Sequence, residues 1–220
     1  MSDDIALRDA VLAELDWEPT VAADHIGVTA EAGVVTLSGH VDTYAEKHAA
    51  EAAATRVKGV RAVAEELKVR LPFEHERSDT EIAEAVLNRL AWNSRIPGDR
   101  VTVKVQQGWV TLGGDVAAHY QRQAAEDEVR PLMGVLGVSN DIAIKPDIKR
   151  TVDVQDLSDD ITHALHRSWF FDPKLIRVTA DGGTILLTGC VHFARDRQIA
   201  AATAWAAPGV TDVRNEITVA

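Results

Sequence analysis

The sequence predicts an α+β architecture of three tandem αββαβ units, each a small three-stranded sheet with two helices packed on one face. Three observations carry that expectation. GVVTLSGHV (33–41), GWVTLGGDV (108–116) and GTILLTGCV (183–191) are copies of one segment, each 75 residues after the last. Within every copy the apolar period changes from helical to alternating and back again. The 220 residues leave about 65 for each unit once linkers are set aside, and a unit that small buries only about 60% of its unfolded surface. A sheet with one covered face is an economical answer.

Each unit opens with an amphipathic helix, marked by Leu7, Val11 and Leu15, then Ile82, Val86 and Leu90, then Ile161, Ala164 and Leu165. Ser78 and Glu81 have the spacing of a capping box. A first strand alternates through Ile26 and Val28, repeated at Val101 and Val103 and at Ile176 and Val178. The turns EAG, QQG and DGG end at Gly33, Gly108 and Gly183, where a hairpin turn calls for positive φ. The second strand follows with Val35, Leu37, Gly39 and Val41. Gly39, Gly114 and Gly189 fall on its inward parity, where a missing side chain is expected to let a helix come close. An Ala-rich helix comes next, which Gly59, Gly134 and Gly209 are expected to close as C′ residues. A third strand ends in LKV, IAI and ITV. The expected boundaries are 3–70, 78–145 and 157–220, joined by the polar linkers 71–79 and 145–159, where Pro72 and Pro146 stop the preceding strands.

These motifs resemble the BON domain (bacterial OsmY and nodulation). The resemblance is carried by IGVTAEAGVVTLSGHV with GVRAVAEELKV, VTVKVQQGWVTLGGDV with GVLGVSNDIAI, and IRVTADGGTILLTGCV with GVTDVRNEITV. Asn140 and Asn215 keep the Asn of the closing motif, and Glu65 replaces it in the first copy. The resemblance implies a bacterial, non-enzymatic interaction module linked to osmotic or envelope stress, with a phospholipid membrane or envelope component as partner. It also supplies an alternative, a cytosolic protein that binds or senses a small ligand or a cation such as K⁺.

Composition narrows the classes. With 23 Lys+Arg against 34 Asp+Glu the net charge is −11, and such a field repels a phosphate backbone, so no nucleic-acid partner is expected. Residues 1–75 carry −7, 76–150 carry −1 and 151–220 carry −3. The second unit is therefore the least repelled by an anionic surface, and it holds Arg89, Arg95, Arg100 and Lys104 beside Trp92. These five, with Trp109, are the candidate surface-binding residues. Trp17, Trp92 and the run 169–171 occupy the end of the first helix in each unit. They are expected to plug the small core, the alternative being a wedge suited to a lipid–water boundary. Trp109 takes outward parity on its strand, as a contact between units or as part of a binding surface.

Catalytic and metal chemistry find little footing. Cys190 is the only cysteine, which excludes an intramolecular disulfide and a multi-thiolate metal site. Cys190 and His192 alternate onto one strand face without a third group to orient them. His163 and His166, with Asp159 and Asp160 a turn earlier, make the best metal-like cluster, and it lacks a further strong ligand. No enzyme, cofactor or metal is expected. No apolar run reaches membrane-spanning length, and MSDDIALRDA has neither the basic nor the apolar region of a signal peptide. The expected location is the cytoplasm, or the periplasm where a presequence has been removed.

Overall fold

The computed structural model describes residues 2–146, 154–167 and 175–219. In the first repeat, helix α1 (Ser2–Trp17) precedes strands β1 (Ile26–Glu31) and β2 (Val34–Val41), then α2 (Tyr44–Arg56) and β3 (Ala62–Val69). β1 and β2 pair antiparallel from Ile26↔Gly39 to Glu31↔Val34. β3 then joins the other edge of β2 in parallel, Val34↔Ala62 to Val41↔Val69. A parallel neighbour needs a crossover, and α2 supplies it. The third repeat has the same order, with α5 (Val154–His166), β8 (Ile176–Asp181), β9 (Thr184–Val191), α6 (Ala194–Trp205) and β10 (Asp212–Val219). The second contains α3 (Asp79–Trp92), β4 (Val101–Gln106), β5 (Trp109–Val116) and α4 (His119–Val129). Its third strand is broken into β6 (Gly137–Asn140) and β7 (Ala143–Ile144), both paired with β5. This is the α+β architecture the repeats predict.

The cores are aliphatic, as an aromatic-poor chain requires. Val11 and Leu15 of α1 pack with Val35 and Leu37 of β2 and with Ala50, Ala53 and Ala54 of α2. Small alanines on α2 let that helix lie close to the sheet. The third repeat repeats the pattern with Ile161, Leu165, Ile185, Leu187, Ala200 and Ala204. By compactness the chain parts into two bodies, Met1–Trp92 with Val103–Leu112 and Glu126–Ser139, and Asn93–Thr102 with Gly113–Ala125 and Asn140–Ala220. The division runs through the second repeat.

Three glycine sets occupy the places that shape each repeat, and the reasons differ from those expected. At the hairpin turns φ is positive at Gly33 (83°) and Gly108 (74°), but in the third copy it is Gly182 (57°), not Gly183, that is left-handed. Gly39, Gly114 and Gly189 stand inside the second strands with φ of 113°, 101° and 138°, and they are exposed rather than inward-facing. A Cβ at these sites would lie 2.1, 2.0 and 2.0 Å from the carbonyl oxygens of His25, Arg100 and Leu175. The close neighbour is thus the backbone entering the first strand, not a helix. Gly59, Gly134 and Gly209 are not C′ residues either. α2 ends at Arg56 with Val57 as its C-cap, and Gly59 is the third residue of a turn closed by Val60 N–H donating to the Val57 carbonyl (3.2 Å). Val135 to Leu132 and Val210 to Ala207 close the same turn, each at 3.4 Å. Positive φ at the third position is what a type II turn requires.

One long-range tie was not legible from pattern. Glu46, in the first turn of α2, accepts from Ala22 N–H (2.7 Å) in the loop before β1 and from Asp42 N–H (2.8 Å). Thr43 caps the same turn, its Oγ1 accepting from Glu46 N–H at 3.1 Å. Gln121 holds the equivalent position and accepts from Ala117 and Ala118 N–H. In the third repeat the position is Asp196, one methylene shorter, 2% exposed and with an Oδ1 that has no hydrogen-bond partner.

Candidate surface-binding site

Trp17 and Trp92 end α1 and α3 at equivalent places, and they do not plug the core. They are 83% and 89% exposed. The helical pattern contains the reason: each follows the last buried leucine, Leu15 or Leu90, by two positions, about 200° around the helix from the apolar stripe. Ion pairs tie the last turn of each first helix to the second helix beside it. Arg56 donates to Glu14 (3.0 Å) and Glu18 (2.8 Å), and the Arg56 bond holds the Glu18 carboxyl below its usual range. In the second repeat Arg89 donates to Glu128 at 3.2 Å. The aromatic run 169–171 lies outside the described residues.

The basic candidates separate into two groups. Arg89 is taken by Glu128, and Arg100 is paired with Asp115, whose carboxyl it holds low. Arg95 and Lys104 are exposed. Trp109 is half-exposed, and its Nε1–H donates to Ser139 Oγ (2.9 Å) within its own repeat. Among the described residues, an aromatic contact that joins one repeat to another is made by Trp205 of α6, which stacks on His119 of α4 with ring centroids 4.1 Å apart.

The model of the BON domain matches residues 3–70, 78–146 and 153–220. The chain belongs to the BON family. A curated relative, osmotically-inducible protein Y of Escherichia coli (strain K12), is 31% identical over 147 residues, which is 65% of this chain and 73% of that one. Among solved structures, CdsD, a structural protein of the type III secretion system of Chlamydia trachomatis, aligns over 98% of this chain and 92% of its own, with 15% identity and a TM-score of 0.28. Its C-terminal domain aligns over 98% of both chains with 15% identity and a TM-score of 0.27. Neither likeness carries an inference.

The three BON copies share a frame and differ in what they mount on it. At the strand-entry position beside the second strand, the first copy stacks His25 on His40, centroids 4.6 Å apart. The second pairs Arg100 with Asp115 at the same two positions, with Lys145 Nζ 3.9 Å from the carboxylate. The third has Leu175 and Cys190 there, both exposed. Cys190 and His192 do not share a strand face, because β9 ends at Val191. Among the described residues no three His, Cys, Asp or Glu side chains converge as metal ligands would. No helix among them is long and apolar enough to cross a membrane.

Proposed function

We propose that this BON protein is a non-enzymatic, osmotic-stress-associated module that docks on phospholipid surfaces through the exposed indoles at the ends of α1 and α3. The observation that carries the reading is the exposure of Trp17 and Trp92, 83% and 89%, at the same place in two repeats. An indole is apolar in body with a polar N–H at its edge, the combination that suits a headgroup boundary. Full burial of one such ring removes about 200 Å² from water, worth about 4–5 kcal/mol. Basic groups near an anionic leaflet add about 1 kcal/mol each, and the exposed Arg95 follows Trp92 by three positions in the sequence. The net charge of −11 opposes approach, so attachment is weak and rests on apolar contact. The name of the E. coli relative supports the link to osmotic stress.

The test is flotation of the full chain with phosphatidylcholine vesicles, with and without phosphatidylglycerol. The chain floats with vesicles, added salt weakens flotation little because screening relieves the net repulsion, and the W17S/W92S variant stays at the bottom. Flotation unchanged in that variant, or absent with every vesicle, overturns the reading.

A further inference from the structure

Trp109 is built differently from the other exposed tryptophans. It stands at the start of β5, where the neighbouring repeats have Val34 and Thr184. Val110 and Leu112 point to the core and are fully buried, so Trp109 and Thr111 share the opposite face of the sheet. Under the indole lies Gly137 of β6, itself buried. A Cβ on Gly137 would stand 2.4, 2.6 and 2.6 Å from Cζ3, Cε3 and Cη2 of the ring. Near-equal distances to three consecutive ring atoms place that point beneath the ring face, not off its edge. The indole therefore lies face-down on a glycine. The Nε1–H···Oγ bond to Ser139 pins its rotation, and the residue remains 49% exposed.

The equivalent positions beneath are Ala62 and Asp212 in the other repeats, and those opposite Ser139 are Ala64 and Arg214. Large indole, bare glycine and hydroxyl anchor occur together only in the second repeat. The rim is polar: Gln106 and Lys104 are exposed on β4, and Thr111 is half-buried on β5.

We propose that this face of the second repeat is a glycan-binding platform, on which a flat hexopyranose stacks its C–H face against the Trp109 ring. A fixed, flat aromatic surface presents the negative face of its quadrupole to the polarised C–H bonds of a sugar. Hydroxyl, amide and ammonium groups around it can exchange hydrogen bonds with the sugar's equatorial hydroxyls. Two other flat or apolar occupants fit less well. A nucleobase brings phosphates toward a chain of net charge −11. An acyl chain gains little from a ring that lies flush with the sheet and is rimmed by polar groups. The site is independent of Trp17 and Trp92.

The experiment is affinity electrophoresis of the full chain in native gels containing hydroxyethyl cellulose or glycol chitin, beside flotation with phosphatidylcholine vesicles with and without digalactosyldiacylglycerol. The key variant is W109V, since valine is the residue of the first repeat and a folded sheet accepts it there. The expected result is retardation by a polysaccharide, or extra flotation with the galactolipid, that W109V weakens about tenfold or more with an unchanged melting temperature. W109F retains part of the effect, and W17S/W92S leaves the retardation intact. Retardation assigns the sugar to a free glycan, and a gain confined to the galactolipid assigns it to a lipid headgroup. No response to any of these probes, or a response that W109V leaves unchanged, overturns the proposal.

Discussion

Replacing Glu46 with alanine removes the acceptor that joins the start of α2 to the loop before β1. Glu46 is 8% exposed, and its carboxylate accepts from two backbone N–H groups, at 2.7 and 2.8 Å. Hydrogen bonds to a charged group in such a place contribute about 1.5 kcal/mol each, so E46A costs the first repeat about 3 kcal/mol. In native-state hydrogen exchange that is about a hundredfold faster exchange for peptides covering the loop before β1 and the first turn of α2. The second repeat provides the internal control. Gln121 shows that a neutral amide can accept twice at this position, its Oε1 taking Ala117 and Ala118 N–H at 2.9 and 3.1 Å, both at the start of its own helix. E46Q should therefore keep most of the protection, and peptides of the second repeat should exchange at the parent rate in both variants. Loss in E46Q equal to that in E46A refutes the account, because the geometry of the acceptor would then not be what matters. Unchanged exchange in E46A refutes it as well.

Two further perturbations test the frame. Burial pushes the Asp196 carboxyl above the ordinary aspartate range, with Arg195 and His192 pulling the other way. The native state thus holds this proton more tightly than the unfolded chain, and the associated stability is present below the unfolded pKa and lost as pH rises through the raised native value. D196N should accordingly stabilise the third repeat at pH 7, by about 1–2 kcal/mol in urea unfolding, and give no gain at about pH 3. Equal gains at both values exclude the desolvated charge as the cause. G114A places a Cβ 2.0 Å from the Arg100 carbonyl oxygen at a φ of 101°. It should destabilise the second repeat by more than about 3 kcal/mol in urea unfolding, and a cost below about 1 kcal/mol contradicts the close approach.

The sequence by itself determined the repeat, the type and order of the elements in each copy, and the sides of strand and helix that face the core. These follow from local periodicity: the 75-residue offset returns three sets of glycines and the apolar stripes to register. The capping box was equally local, and Ser78 and Glu81 exchange their bonds at 2.9 and 3.3 Å. Even the exposure of Trp17 and Trp92 was present in the spacing from Leu15 and Leu90, although small-core arguments favoured burial. Only the tertiary structure decided which partner each special residue answers to. Gly39 is required by the carbonyl of His25, fourteen positions away, because strand pairing brings Ile26 opposite Gly39. Glu46 reaches Ala22 across 24 positions, and Trp109 meets Gly137 and Ser139 only because β6 lies beside β5. Periodicity records which face a residue takes. It does not record which backbone amide, carbonyl or bare Cα will be waiting on that face, since chain closure alone brings those groups together.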